Sequence, residues 1–304
     1  MLHLQKTLNN KIEFSGVGLH TGKESNMILS PASQNTGIIF KRTDINEDVF
    51  IKADVKNVVE TNRGTTLGKS NYKIYTIEHF LSALNGLGID NALVEIDNIE
   101  PPIFDGSSKP FIDKILEIGT KNLEVNRNYI TVSDEIEYKD DKCQIKVIPC
   151  DEFKVTYYAD YPYGNIGKKE YTYTQNQDYH NQISLARTFC SIGELMYLKE
   201  NGLIQGADLN SGIVFLDENI DKTKAENILE DLNIEITSLE NENYTLNNVK
   251  LRYEDEPIRH KVLDLIGDFA LLGSGLNGHV LSYGGGHFSN VEIMKKIKSK
   301  YERI

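Results

Sequence analysis

The pattern that most restricts the fold of this chain is an order of hydrophobic periods that occurs twice. In the first run, Lys11–Phe14 and Ser25–Leu29 alternate apolar and polar residues around a glycine-rich turn, Ser15–Lys23, and Gly37–Lys41 and Phe50–Val55 read as further strands. Ile77, Phe80, Leu81, Leu84 and Leu87 then follow helical spacing, with Thr76 placed to cap the helix and Gly86 and Gly88 to stop it. A strand at Asn91–Ile96 and a helix at Pro110–Gly119 complete the run. A short polar break, Asn122–Asn128, precedes the second run. It has strands at Tyr129–Val132, Cys143–Pro149 and Lys154–Ala159, a polar loop at Tyr163–Lys168, and helices at Gly193–Glu200 and Pro257–Leu272. A strand at His279–Ser282 and a helix at Ser289–Tyr301 close it. Strands grouped ahead of a helix–strand–helix tail predict an α+β layered fold rather than a doubly wound parallel sheet. The expectation is two layered α+β domains of similar topology, residues 1–124 and 129–304. The Asp-, Glu- and Asn-rich stretch Asp217–Asn248 reads as an acidic surface insertion in the second, with a short helical stretch at Thr223–Leu232.

Charge and cysteine content exclude several functions. The chain has 304 residues, 33 basic against 45 acidic, and a formal charge of −12, a poor match to a phosphate backbone, so no nucleic-acid partner is expected. Apolar runs such as Ile213–Leu216 and Phe269–Leu272 are too short to cross a bilayer, and stable membrane insertion is not expected. The first residues lack a basic region followed by an apolar one, so no export signal is read. Cys143, Cys150 and Cys190 show no CxxC spacing, which argues against a disulfide framework and fits a reducing cytoplasm. Any metal must therefore rest on histidine and carboxylate.

The histidines offer few places for one. His79 directly follows Glu78 near the start of a predicted helix, so carboxylate and imidazole share one anchor; the plainer reading is a buried core histidine. His260 and Asp264 lie four apart in RHKVLDLIGDF and project from the same helix face, as either a metal-ligand pair or a surface ion pair; Asp268 extends the stripe by a turn. His287 follows three glycines in YGGGHFSN, which suits an imidazole presented at the mouth of a site as well as an ordinary turn. His20 sits in the glycine-rich turn, either beside a ligand or in a simple hairpin connector. The match to G-x-G-x-x-G at Gly273–Gly278 follows a helix and precedes a strand, the reverse of a dinucleotide-binding turn, and reads as a helix stop.

Taken together, TIEHFLSALNGLGIDN, SLARTFC, RHKVLDLIGD and GGGHFSN, with SGVGLHTGK and PIFDGSSKPF, resemble the zinc-dependent UDP-3-O-acyl-N-acetylglucosamine deacetylases of lipid A biosynthesis. The resemblance runs from about Leu4 to the last helix. It implies a cytoplasmic, monomeric zinc amidohydrolase with its site between the two domains. The substrate would be a UDP-linked acylated glucosamine, whose acetamide is cleaved to amine and acetate in the committed step of that pathway. By matching motifs it implies Zn2+ ligands at His79, His260 and Asp264, a general base at Glu78 and an acid/base at His287. Lys261, Asp268 and Thr188 fall at further catalytic positions, with Thr188 beside the developing oxyanion and Phe189 beside the substrate. Tyr161 and His20 are implied substrate contacts, and Ile192, Leu195 and Leu203 fall in the stretch 191–215 that in the family forms an acyl passage. The chain departs from the family pattern in three places. Gly284 replaces a lysine expected to contact the diphosphate, Cys190 replaces a glycine, and Asp217–Asn248 is longer than the usual connection. The chain is expected to lack the dehydratase fused to some relatives. Alternatives from other classes are a binding protein that kept the fold without its chemistry, and a different metal-dependent hydrolase.

Overall fold

Alternating patterns of the first run become a five-stranded sheet. Its strands are β1 (Ile12–Val17), β2 (Glu24–Pro31), β3 (Ile38–Arg42), β4 (Phe50–Lys52) and β5 (Ala92–Ile96), in the order β1-β2-β5-β3-β4. Only β3 and β5 are parallel. Ile12, Phe14, Met27, Leu29, Val94 and Ile96 are buried while their neighbours face outward, which sets the register. The second sheet contains β6 (Ile136–Lys139), β7 (Gln144–Ile148), β8 (Phe153–Tyr161), β9 (Gly167–Thr174) and β10 (Gly275–Tyr283). Their order, β6-β7-β10-β8-β9, and strand senses repeat those of the first sheet, and Tyr129–Thr131 adds a parallel strand beside β10. This is a computed structural model, and it describes residues 3–162, 166–217, 222–231, 234–235, 237–238 and 244–301.

The helices lie at equivalent places in the two runs. In the first, α1 (Glu78–Gly86) precedes β5 and α2 (Lys109–Ile118) follows it. The chain then forms α3 (Ile192–Glu200) and α4 (Lys222–Asp231), and α5 (Glu256–Phe269) and α6 (His287–Tyr301) flank β10. The helices α1 and α5 lie against each other in a core shared by both sheets, with Phe80, Leu84, Leu263 and Ile266 inside. Each such side chain contributes roughly 1.5–3 kcal/mol of burial. Their backbones approach so closely that a β-carbon at Gly267 would lie 2.0 Å from the Glu78 carbonyl oxygen. Ser82 Oγ and Asn85 Nδ2 of α1 donate to the carbonyls of Leu263 (2.6 Å) and Ile266 (2.9 Å), which fixes the rotation of one helix against the other.

The α+β expectation agrees with these layers, and several local readings need correction. Thr76 does not cap α1: Ile77 occupies that position and Thr76 takes a left-handed φ of 52°. The polar break at 122–128 is largely strand, because Thr120–Asn126 pairs antiparallel with Leu4–Leu8. The strand expected over Phe50–Val55 stops at Lys52, where Asp54 caps a short turn. Residues 163–165 of the predicted loop lie outside the described residues; Gly167–Thr174 is strand, paired to β8 with Tyr157 opposite Tyr171. Gly273 ends its helical segment with φ 72°, as the helix-stop reading requires. Of the acidic stretch, residues 218–221, 232–233, 236 and 239–243 lie outside the described residues. Its Ala225, Leu229 and Leu246 are buried in a small second core with Ile192, Leu195 and Leu216, where an exposed insertion was expected. Among the described residues, no helix is long and apolar enough to cross a membrane.

Candidate active site

Where α1 meets α5, side chains of both helices converge. His79 enters from the first turn of α1, and His260 and Asp264 come from successive turns of α5. Their donor atoms all lie within 4.8 Å of one another, and all three residues are buried. Asp264 Oδ1 is 3.5 Å from His79 Nε2 and 3.3 Å from His260 Nε2, with the two rings edge to face at 4.9 Å. His260 Nδ1 lies 3.0 Å from the Ala186 carbonyl; donation there leaves the Nε2 lone pair turned toward the cluster. Burial pushes the His260 pKa down to about 3, so the ring is neutral. Burial opposes ionisation of Asp264, but the charges and hydrogen bonds around it outweigh that and hold the carboxyl well below its usual range; Lys261 Nζ donates to Asp264 Oδ2 at 2.8 Å. His79 Nδ1 is buried and has no hydrogen-bond partner among the described residues. Two imidazoles and an ionised carboxylate at this spacing fit a divalent metal such as zinc.

Two proton-transfer groups flank this cluster. Glu78 is almost wholly buried, and desolvation raises its pKa against the pull of His287 and His79. His287, at the first residue of α6, has Nε2 3.7 Å from Glu78 Oε1 and Nδ1 2.9 Å from Asp268 Oδ2. Burial would lower the His287 pKa, but the Asp268 and Glu78 carboxylates prevail and push it up to about 10. Asp268 is fully buried and also accepts from Asn290 Nδ2 (2.8 Å) and Thr65 Oγ1 (2.5 Å). The Thr65 amide donates to Glu78 Oε2 at 2.9 Å, so a single residue steadies both carboxylates. A polar threonine in TNRGTT gave no sequence signal for this role. Glu100 was missed for the same reason. Buried, it accepts from the Thr76 hydroxyl (2.7 Å) and from the amides of His20 (3.1 Å) and Thr21 (3.0 Å). It thereby pins the glycine-rich turn to the entrance of α1 and holds Thr76 in its left-handed conformation, a strain of roughly 1–3 kcal/mol.

The cluster opens into a cavity of about 860 Å³. Glu78, His79, His260, Lys261, Asp264 and His287 lie in its wall, as do Thr188, Phe189, His20, Leu195 and Leu203. Three expected residues are placed elsewhere. Asp268 stands behind His287, Ile192 is fully buried in the small core, and Tyr161 packs edge-on against Phe189 with ring centroids 5.6 Å apart. Gly106 and Gly212 lie against Thr188, whose amide donates to the Gly106 carbonyl at 2.7 Å. Arg63, in the wall, pairs with Glu194 of α3 at 3.0 Å and ties that helix to the segment carrying Thr65.

Comparison with known proteins bears on this arrangement. The family model described as "LpxC: UDP-3-O-acyl N-acetylglycosamine deacetylase" matches residues 5–228 and 215–299. The "UDP-3-O-acyl-N-acetylglucosamine deacetylase" of Syntrophotalea carbinolica is 36% identical, over 96% of this chain and 87% of its own. The protein of that name from Chlamydia abortus is 34% identical over 96% of each chain. The "Bifunctional enzyme LpxC/FabZ" of Chlorobaculum tepidum is 38% identical over 100% of this chain, which spans 66% of that protein's length.

Proposed function

The chain belongs to the UDP-3-O-acyl N-acetylglycosamine deacetylase family, and we propose that it hydrolyses the acetamide of UDP-3-O-(3-hydroxyacyl)-N-acetylglucosamine, giving acetate and the free amine in lipid A biosynthesis. The observation that carries this reading is one wall holding both a convergent His79, His260 and Asp264 set and the Glu78 and His287 pair. In it, His79, His260 and Asp264 hold Zn2+, whose chemistry is to acidify a bound water and to polarise a carbonyl. Glu78 removes the proton from the attacking water; burial raises its pKa and so makes it a better base. Thr188 donates to the developing oxyanion from the cavity wall. His287, kept protonated by Asp268, gives its proton to the leaving nitrogen. An amine leaves poorly unless protonated, so the reaction needs this acid as well as the base. Lys261 holds Asp264 ionised through their hydrogen bond.

We place the sugar against Phe189 and His20 and the acyl chain among Leu195, Leu203 and their apolar neighbours. Residues 1–124 and 129–304 are read as two domains with the site between them, acting in the cytoplasm. The test of the assigned roles is kinetic. Glu78→Gln and His287→Ala should each lower kcat at least ~10²-fold with zinc content unchanged. Turnover close to wild type in either variant removes the role given to that residue.

A further inference from the structure

The acidic stretch after Phe215 is continuous with the cavity through its packing. Ala225 and Leu229 of α4 are buried against Ile192 and Leu195 of α3, with Leu216 and Leu246 closing the cluster. At the edge of this small core lie Cys190, Ile204, Leu209, Val214 and Ile234, each only partly buried by it. All five also line the cavity. The small core and the apolar arm of the cavity therefore share one wall. Ile204, Leu209 and Val214 come from 191–215, the stretch expected to form the passage, Cys190 directly precedes it, and Ile234 comes from the acidic stretch.

Ile234 is held there by its backbone. Its amide donates to the Leu229 carbonyl at 2.8 Å, tying it to the end of α4. Asn247 then anchors the following residues. Its Oδ1 accepts from the amides of Thr237 (2.7 Å) and Ser238 (3.2 Å), and its Nδ2 donates to the Glu235 carbonyl at 2.8 Å. A stretch whose composition reads as solvated surface thus delivers one branched apolar side chain to the cavity, held by α4 on one side and by Asn247 on the other.

We propose that Ile234 is a specificity-determining residue for the acyl chain, and that its side chain sets how much of that chain the apolar arm accepts. This rests on the deacetylase reading above for the identity of the occupant. A well-packed wall is sensitive to the volume of each side chain in it. Every methylene that can be seated is worth about fourfold in affinity. Enlarging the residue at 234 should therefore disfavour long chains, and shrinking it should favour them.

The experiment compares wild type, Ile234→Trp and Ile234→Ala on UDP-3-O-(3-hydroxyacyl)-N-acetylglucosamines of graded acyl length. It reads kcat/KM from acetate release and, separately, Kd for free 3-hydroxy fatty acids of the same lengths. The expected result is a reciprocal shift. Ile234→Trp raises the short-to-long ratio at least tenfold, Ile234→Ala lowers it, and the fatty-acid Kd series moves in the same directions. A general packing defect would lower all lengths together and would not reverse sign between the two variants. Equal effects at every length, or none, overturn the proposal. A reciprocal shift of the fatty-acid Kd series between the two variants, with no acetate release by wild type, keeps the wall assignment and removes the deacetylase reading. Absence of both binding and release overturns both.

Discussion

Replacing Gly267 with alanine adds one methyl group at the closest approach of α1 and α5. Its β-carbon would lie 2.0 Å from the carbonyl oxygen, 2.8 Å from the carbonyl carbon and 3.1 Å from the α-carbon of Glu78. These are backbone atoms of a buried helix, so no side chain can swing aside. Ordinary contact begins near 3.4 Å, so the helices must part by about 1.4 Å. Alanine favours a helix over glycine by about 1 kcal/mol, but overpacking a tight core typically costs about 1–3 kcal/mol and sometimes more. With backbone atoms on both sides of the contact the cost falls at the upper end of that range, a net loss of up to about 2 kcal/mol, and Tm should fall by about 2–4 °C. The consequence for the site is larger, because Glu78 and His79 ride on one helix and His260 and Asp264 on the other. Donor atoms that span 4.8 Å cannot absorb such a shift and still meet one ion. Zinc affinity, measured by competition with a fluorescent chelator, should drop at least tenfold, alongside the lower Tm. A Gly267→Ala protein with higher Tm and wild-type zinc affinity would refute the helix-contact argument.

Further predictions concern charge and metal. Asp268→Asn removes the carboxylate that keeps His287 protonated up to about 10, so the alkaline limb of kcat/KM should move down by a unit or more. The stability from that raised histidine is complete below its ordinary 6.5 and lost as pH rises through about 10; Tm against pH should lose this slope in the variant. The acid limb should lie above 4.5, since burial raises Glu78 and activity needs it ionised; a limb below 4.5 would count against Glu78 as base. Thr65→Val keeps the amide bond to Glu78 but loses the hydroxyl to Asp268, and should lower kcat more than it raises KM. Zinc at a hundredfold excess over its Kd should stabilise the wild type by about 2.7 kcal/mol against chelator-treated protein; Asp264→Ala and His79→Ala should lose that gain in thermal melts.

Much of the site was legible because its residues lie close together along the chain on strongly periodic segments. Glu78 and His79 are adjacent, and His260, Asp264 and Asp268 share one helix face. What joins those two helices was not legible, because the approach at Gly267 and the bonds from Ser82 and Asn85 are tertiary facts. Thr76 shows how a local rule fails: a threonine before a helix suggests a cap, but a distant carboxylate, Glu100, captures its hydroxyl instead. Thr65 was invisible because it acts through its amide as much as its side chain. Composition misled at Ala225, Leu229 and Ile234, where a few apolar residues in an acidic stretch find a core that its average charge conceals. The strand Gly167–Thr174 was passed over although Tyr171 and Tyr173 alternate, because a polar, glycine-containing stretch leads into it.

The most direct measurement is acetate release from UDP-3-O-(3-hydroxyacyl)-N-acetylglucosamine by the purified protein, before and after chelation and again after zinc is restored. The account predicts release that chelation abolishes and that returns with zinc in wild type, but not in a His79→Ala, Asp264→Ala double variant. Release that survives complete chelation, or that the double variant retains, would contradict it.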